Sequence, residues 1–80
     1  LYGGNGNDTL IGGTATTDPL DAADILLGGM GDDVIYGNGG DDIVDGENGN
    51  DTIYGGAGNN ILRGGAGSDE IYSISDGDII

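Results

Sequence analysis

Carboxylates recur in this chain at a spacing that rarely arises by chance. Asp24, Asp33, Asp42 and Asp51 stand nine residues apart; Asn60, Asp69 and Asp78 continue the series, and Asp8 precedes it. Two residues after each member comes an aliphatic side chain: Leu10, Leu26, Ile35, Val44, Ile53, Leu62, Ile71, Ile80. Carboxylates brought into register by such a repeat repel one another strongly unless a cation lies between them. The chemistry on offer is therefore cation binding.

The remaining composition narrows the cation. Thirteen Asp and two Glu stand against one basic residue, Arg63, for a formal charge of -14. There is no Cys and no His, so thiolate and imidazole sites are excluded, and oxygen ligands suit hard ions such as Ca2+ or Mg2+. The missing Lys/Arg surface excludes nucleic acid as a direct partner. No apolar run approaches the roughly 18 residues of a membrane span, and no signal peptide is visible. Catalysis finds no support: Ser68, Ser73 and Ser75 have no activating base, and the paired Asp residues are better explained as ion ligands than as an acid/base couple. An EF-hand is ruled out because Asp41-Asp42 lacks alternating ligands and a later bidentate Glu.

The elements that would position these carboxylates are read from Gly28 to Tyr54, where GGMGDDVIY, GNGGDDIVD and GENGNDTIY follow one another without a gap. Gly opens each unit, a second Gly holds the fourth place, Asp the sixth and an aliphatic residue the eighth. The same register runs outward through Gly3–Ile11, Gly55–Arg63 and Gly64–Tyr72. The unit opening at Gly12 has 16 residues, its seven extra ones lying within 14–23, and the last, 73–80, keeps only Asp78 and Ile80 in place. We expect one domain over 1–80. Because it begins in mid-unit at Leu1-Tyr2, we expect it to be a segment of a longer protein.

Glycine in the first half of a unit permits the positive φ angles of a tight turn. The last three residues, such as Thr52-Ile53-Tyr54, are β-formers. Six residues of turn and three of strand make half a coil, so residues 18 apart should stack one strand spacing apart, about 4.8 Å. The eighth place then faces a thin interior. The sixth places fall on two edges: Asp8, Asp33, Asp51 and Asp69 on one, Asp24, Asp42, Asn60 and Asp78 on the other. Ca2+ needs six to eight oxygens. Beyond the carboxylates, the candidate donors are turn carbonyls at the first and third places: Gly3, Asn5, Gly28, Met30, Gly37, Gly39, Gly46, Asn48, Gly55, Ala57, Gly64 and Ala66.

From Leu1 to Ile80 the units resemble the RTX nonapeptide, Gly-Gly-X-Gly-X-Asp-X-U-X, with U a large apolar residue. The resemblance implies an all-β, right-handed parallel β-roll, a β-helix solenoid of short strands with Ca2+ between turns. It further implies a bacterial protein exported by type I secretion, unfolded in the low Ca2+ of the cytosol and folding outside the cell. Departures from the pattern are Asn60 for Asp, and Asn38, Glu47 and Ile74 at the second Gly place. Asn60 supplies a neutral oxygen. We therefore expect three Ca2+ on the edge of Asp8, Asp33, Asp51 and Asp69, and fewer or weaker ions opposite.

Two outward ladders complete the pattern: Ile25, Ile43, Ile61 and Ile79 on one sheet, and Ile11, Tyr36, Tyr54 and Tyr72 on the other. Stacked like side chains support their own sheet, or form a contact surface for a neighbouring domain or for lateral assembly. Two functions are thus in view: a calcium-triggered folding and export module, or a structural repeat of a surface layer or extracellular filament. Asp45 and Arg63 share the 18-residue spacing, where a surface ion pair is worth ~0–1 kcal/mol. In the insertion, Pro19 and its Thr and Asp neighbours suggest a surface loop, with Asp18 or Asp21 as an added ligand the alternative.

Overall fold

Strands here are short because each unit leaves only three residues, centred on an aliphatic β-former, between its sixth-place Asp or Asn and the start of the next unit. The computed structural model describes residues 1–12, 23–73, 77 and 79–80. It holds β1 (Thr9–Ile11), β2 (Ile25–Leu27), β3 (Val34–Tyr36), β4 (Ile43–Asp45), β5 (Thr52–Tyr54), β6 (Ile61–Arg63) and β7 (Glu70–Tyr72), and no helix among the described residues. Every strand occupies the last three places of its unit. The inserted loop falls outside the described residues.

Odd and even strands separate into two parallel sheets, β1-β3-β5-β7 and β2-β4-β6, so the chain is a parallel β-roll. Ile35 pairs with Ile53 and Ile53 with Ile71 in one sheet; Leu26 pairs with Val44 and Val44 with Leu62 in the other. The 18-residue pitch is thus the register of both sheets. Leu10 pairs with Ile35, so the seven extra residues of the second unit are absorbed without moving any side chain to the wrong face.

The interior is a single file of aliphatic side chains. Leu26, Ile35, Val44 and Ile53 are fully buried, Leu10 and Leu62 nearly so, and Ile71 packs against them from the end of its sheet. Ile80 departs from the expectation for an eighth place: it is 72% exposed, with no further described strand to cover it. Outside, Ile25, Ile43 and Ile61 stand in register and Ile79 bridges to Ile61. The rings of Tyr36, Tyr54 and Tyr72 stack at 4.9 Å, a direct measure of the distance between coils. Asp45 and Arg63 are register partners, while the Asp45 carboxylate accepts a 3.0 Å hydrogen bond from the Glu47 N–H.

Candidate metal sites

The sixth-place side chain follows the turn and precedes the strand, and the coil stacking forces it under the neighbouring turn. Asp33, Asp42 and Asp51 are 1% exposed and Asn60 not at all; Asp8, Asp24 and Asp69 are half-buried. In Asp33, Asp42, Asp51, Asn60 and Asp69 one oxygen is held by backbone from the coil before it. Asp33 Oδ1 accepts from the Asp8 N–H at 2.7 Å, Asp51 Oδ1 from Asp33 at 2.8 Å, and Asp69 Oδ1 from Asp51 at 2.9 Å. On the opposite edge Asp42 Oδ1 accepts from Asp24 at 2.9 Å and Asn60 Oδ1 from Asp42 at 2.7 Å. These bonds set Asp8, Asp33, Asp51 and Asp69 along one edge and Asp24, Asp42 and Asn60 along the other. Asp78 lies outside the described residues, as do Asp18 and Asp21.

The second oxygen carries the chemical signal. Oδ2 of Asp8, Asp24, Asp33 and Asp51 is buried and accepts no hydrogen bond. Buried polar atoms are almost always partnered, because leaving one bare costs roughly 1–3 kcal/mol. What lies near these atoms is more oxygen. A Cβ on Gly28 would sit 2.7 Å from both Asp33 Oδ2 and the Gly46 carbonyl; on Gly3 it would meet Asp8 Oδ2 at 2.8 Å and the Gly28 carbonyl at 2.6 Å. First-place glycine is thus required by space: a carboxylate oxygen and the next coil's carbonyl converge where a side chain would begin. Acceptors facing acceptors, with no hydrogen between them, fit a hard cation. Among the described residues no three acidic side chains form a cluster, so carboxylates and backbone must share the work.

Glycines at the second and fourth places serve conformation. Gly29 and Gly31 have φ of 92° and 106°, and Asn38 and Glu47 keep the same left-handed turn at 64° and 69°. Asn tolerates that region, whereas Glu is strained there. Electrostatics follow from the stacking. Burial pushes the Asp51 carboxyl above its ordinary value; the Asp33 N–H opposes the shift, and the charges of Asp33, Asp69 and Asp32 add to it.

Asn60 reveals which carbonyls reach a sixth-place side chain. Its Nδ2 donates to the Gly55 carbonyl at 3.0 Å and more weakly to those of Gly56 and Ala57, both at 3.4 Å. In this turn the first-place Gly55 and third-place Ala57 carbonyls face the sixth-place side chain. Unanticipated from the residues is the fifth place. Asn7 Oδ1 accepts from the Asp32 N–H, Asp32 from Asn50, Asn50 from Ser68 and Asp41 from Asn59, all at 2.8–2.9 Å. These bonds run opposite to those of the sixth place, so each turn is tied in both directions. The available signal was that this place holds only short polar side chains in those units.

A family model described as RTX calcium-binding nonapeptide repeat, in four copies, matches residues 1–15, 20–53 and 45–80. Neither a curated protein nor a solved structure matches the chain.

Proposed function

The chain belongs to the RTX calcium-binding nonapeptide repeat family, and from that premise we propose that it is a folding module gated by Ca2+, supporting export and stability of a larger secreted bacterial protein. The observation that carries this reading is the set of buried, unpartnered Oδ2 atoms on Asp8, Asp24, Asp33 and Asp51. In our reading the sixth-place residues Asp8, Asp24, Asp33, Asp42, Asp51, Asp69 and Asp78, with first- and third-place carbonyls, hold the ions. Ca2+, when bound, supplies the positive charge that lets carboxylates lie one coil apart. The chain's own part is to bring acceptors together: Oδ1 ties each Asp to the neighbouring coil, and first-place glycine clears the space beside Oδ2.

A core one side chain wide makes folding depend on those ions, because binding to the folded state alone is folding free energy. In low cytosolic Ca2+ the chain would stay unfolded, and outside the cell it would close. Far-UV circular dichroism against Ca2+, run beside Mg2+, tests this. The expected result is a cooperative gain of β-structure with Ca2+ and little with Mg2+, whose smaller octahedral shell suits a flexible oxygen cradle poorly. A chain already β-structured in chelator would overturn it.

The exposed Ile25, Ile43, Ile61 and Ile79 ladder favours a second reading, lateral association as a structural repeat. Changing Ile43 and Ile61 to Thr should then abolish association in sedimentation while leaving Ca2+-dependent folding intact; loss of folding alone would count against it.

A further inference from the structure

Among the described sixth-place residues, Asn60 alone carries hydrogens on the atom that faces its own turn. It is fully buried, and its two ends are used differently. Oδ1 accepts from the Asp42 N–H at 2.7 Å, the bond that Asp33, Asp51 and Asp69 make with their own neighbours. Nδ2 takes the position that Oδ2 takes elsewhere, and donates to the carbonyls of Gly55, Gly56 and Ala57. The reverse orientation would set an oxygen against three carbonyls and an NH2 against an N–H, so the network admits only this one.

We propose that the Asn60 amide stands in for a cation: the turn 55–60 closes on side-chain hydrogens and takes no Ca2+ of its own. The turns of Asp8, Asp24, Asp33 and Asp51 present bare carboxylate oxygen to carbonyl oxygen and need positive charge from outside. Here the chain supplies the positive end of a dipole covalently. The weaker site expected from a neutral oxygen is thus a plugged one, and the coil around β6 is held together whether or not the ion is present. This inference rests on the calcium reading above.

The test is Ca2+ stoichiometry of the 80-residue chain, by isothermal titration and equilibrium dialysis, for wild type and Asn60→Asp. Restoring the carboxylate should raise the saturating count by at least one Ca2+ per chain. A wild type that binds Ca2+ and a variant that binds no more would overturn the Asn60 inference alone. A wild type that binds none would overturn the calcium reading and this inference with it. Should the variant fail to fold, nitrogen-edited NMR of the Ca2+-loaded wild type decides. An Asn60 side-chain NH2 protected from solvent exchange supports the plug, and one exchanging like a free amide overturns it.

Discussion

Asp51→Asn would transplant the Asn60 arrangement to the all-Asp edge and tests the electrostatic account of the roll. Asp51 is buried between Asp33 and Asp69, its coil neighbours on that edge. Coils are 4.9 Å apart as measured by the tyrosine stack. Two like charges at that distance repel by about 3.4 kcal/mol at an effective dielectric constant of about 20. Asn keeps the Oδ1 acceptor for the Asp33 N–H and aims an NH2 at the carbonyls of the turn opened by Gly46. Removing one buried, unsatisfied charge should therefore stabilise the calcium-free roll by about 2–4 kcal/mol. With saturating calcium the sign reverses, because a site held at about 1,000 times its Kd contributes about 4.1 kcal/mol, more than that gain, which the variant forgoes. The assay is circular dichroism and urea unfolding in chelator and in saturating Ca2+, with stoichiometry by titration. The variant should be more structured than wild type in chelator, bind fewer ions, and be less stable when loaded. A variant no better folded in chelator and binding as many ions as wild type would refute the reasoning.

Other substitutions and conditions separate the remaining parts. Gly28 has no positive φ, so Gly28→Ala leaves the backbone unstrained but places a methyl 2.7 Å from Asp33 Oδ2 and the Gly46 carbonyl; Ca2+ affinity should fall tenfold or more, an overpacking cost of ~1–3 kcal/mol. An unchanged titration would show that the cradle is not where the ion binds. Ile53→Ala should cost about 2–5 kcal/mol in urea unfolding of the calcium-loaded chain, and Ile71→Ala, at the partly covered end, distinctly less; equal losses would contradict the single-file core. Acid should partly replace calcium. Burial raises the Asp51 carboxyl above its ordinary 3.8, so in chelator the folded roll keeps a proton at a pH where the unfolded chain has lost it. That stabilisation is complete below the ordinary carboxylate value and is lost as pH rises through the raised one. The β signal in chelator should grow as pH falls from about 7 toward 4, and a flat or falling signal would contradict it.

The residues by themselves determined the period, the faces and the ligand type. Asp or Asn at every sixth place and an aliphatic at every eighth require a unit of nine. Three residues between the sixth place and the next unit require short strands, and a composition without Cys or His leaves only oxygen donors. The 18-residue pitch followed because two turn-and-strand halves return the chain above itself, and Ile35–Ile53–Ile71 pair as that demands. Tertiary structure alone decided which atom of each side chain does what. A sixth-place Asp reads as two equivalent oxygens, yet at Asp33 and Asp51 stacking hands Oδ1 to the neighbouring coil's N–H and leaves Oδ2 bare among carbonyls. The same stacking sets the Asn60 Nδ2 against carbonyls of its own turn, and makes fifth-place Asn and Asp into ties running the other way. Composition and spacing specify which groups share an edge; only the approach of one coil to the next specifies which lone pair meets which hydrogen.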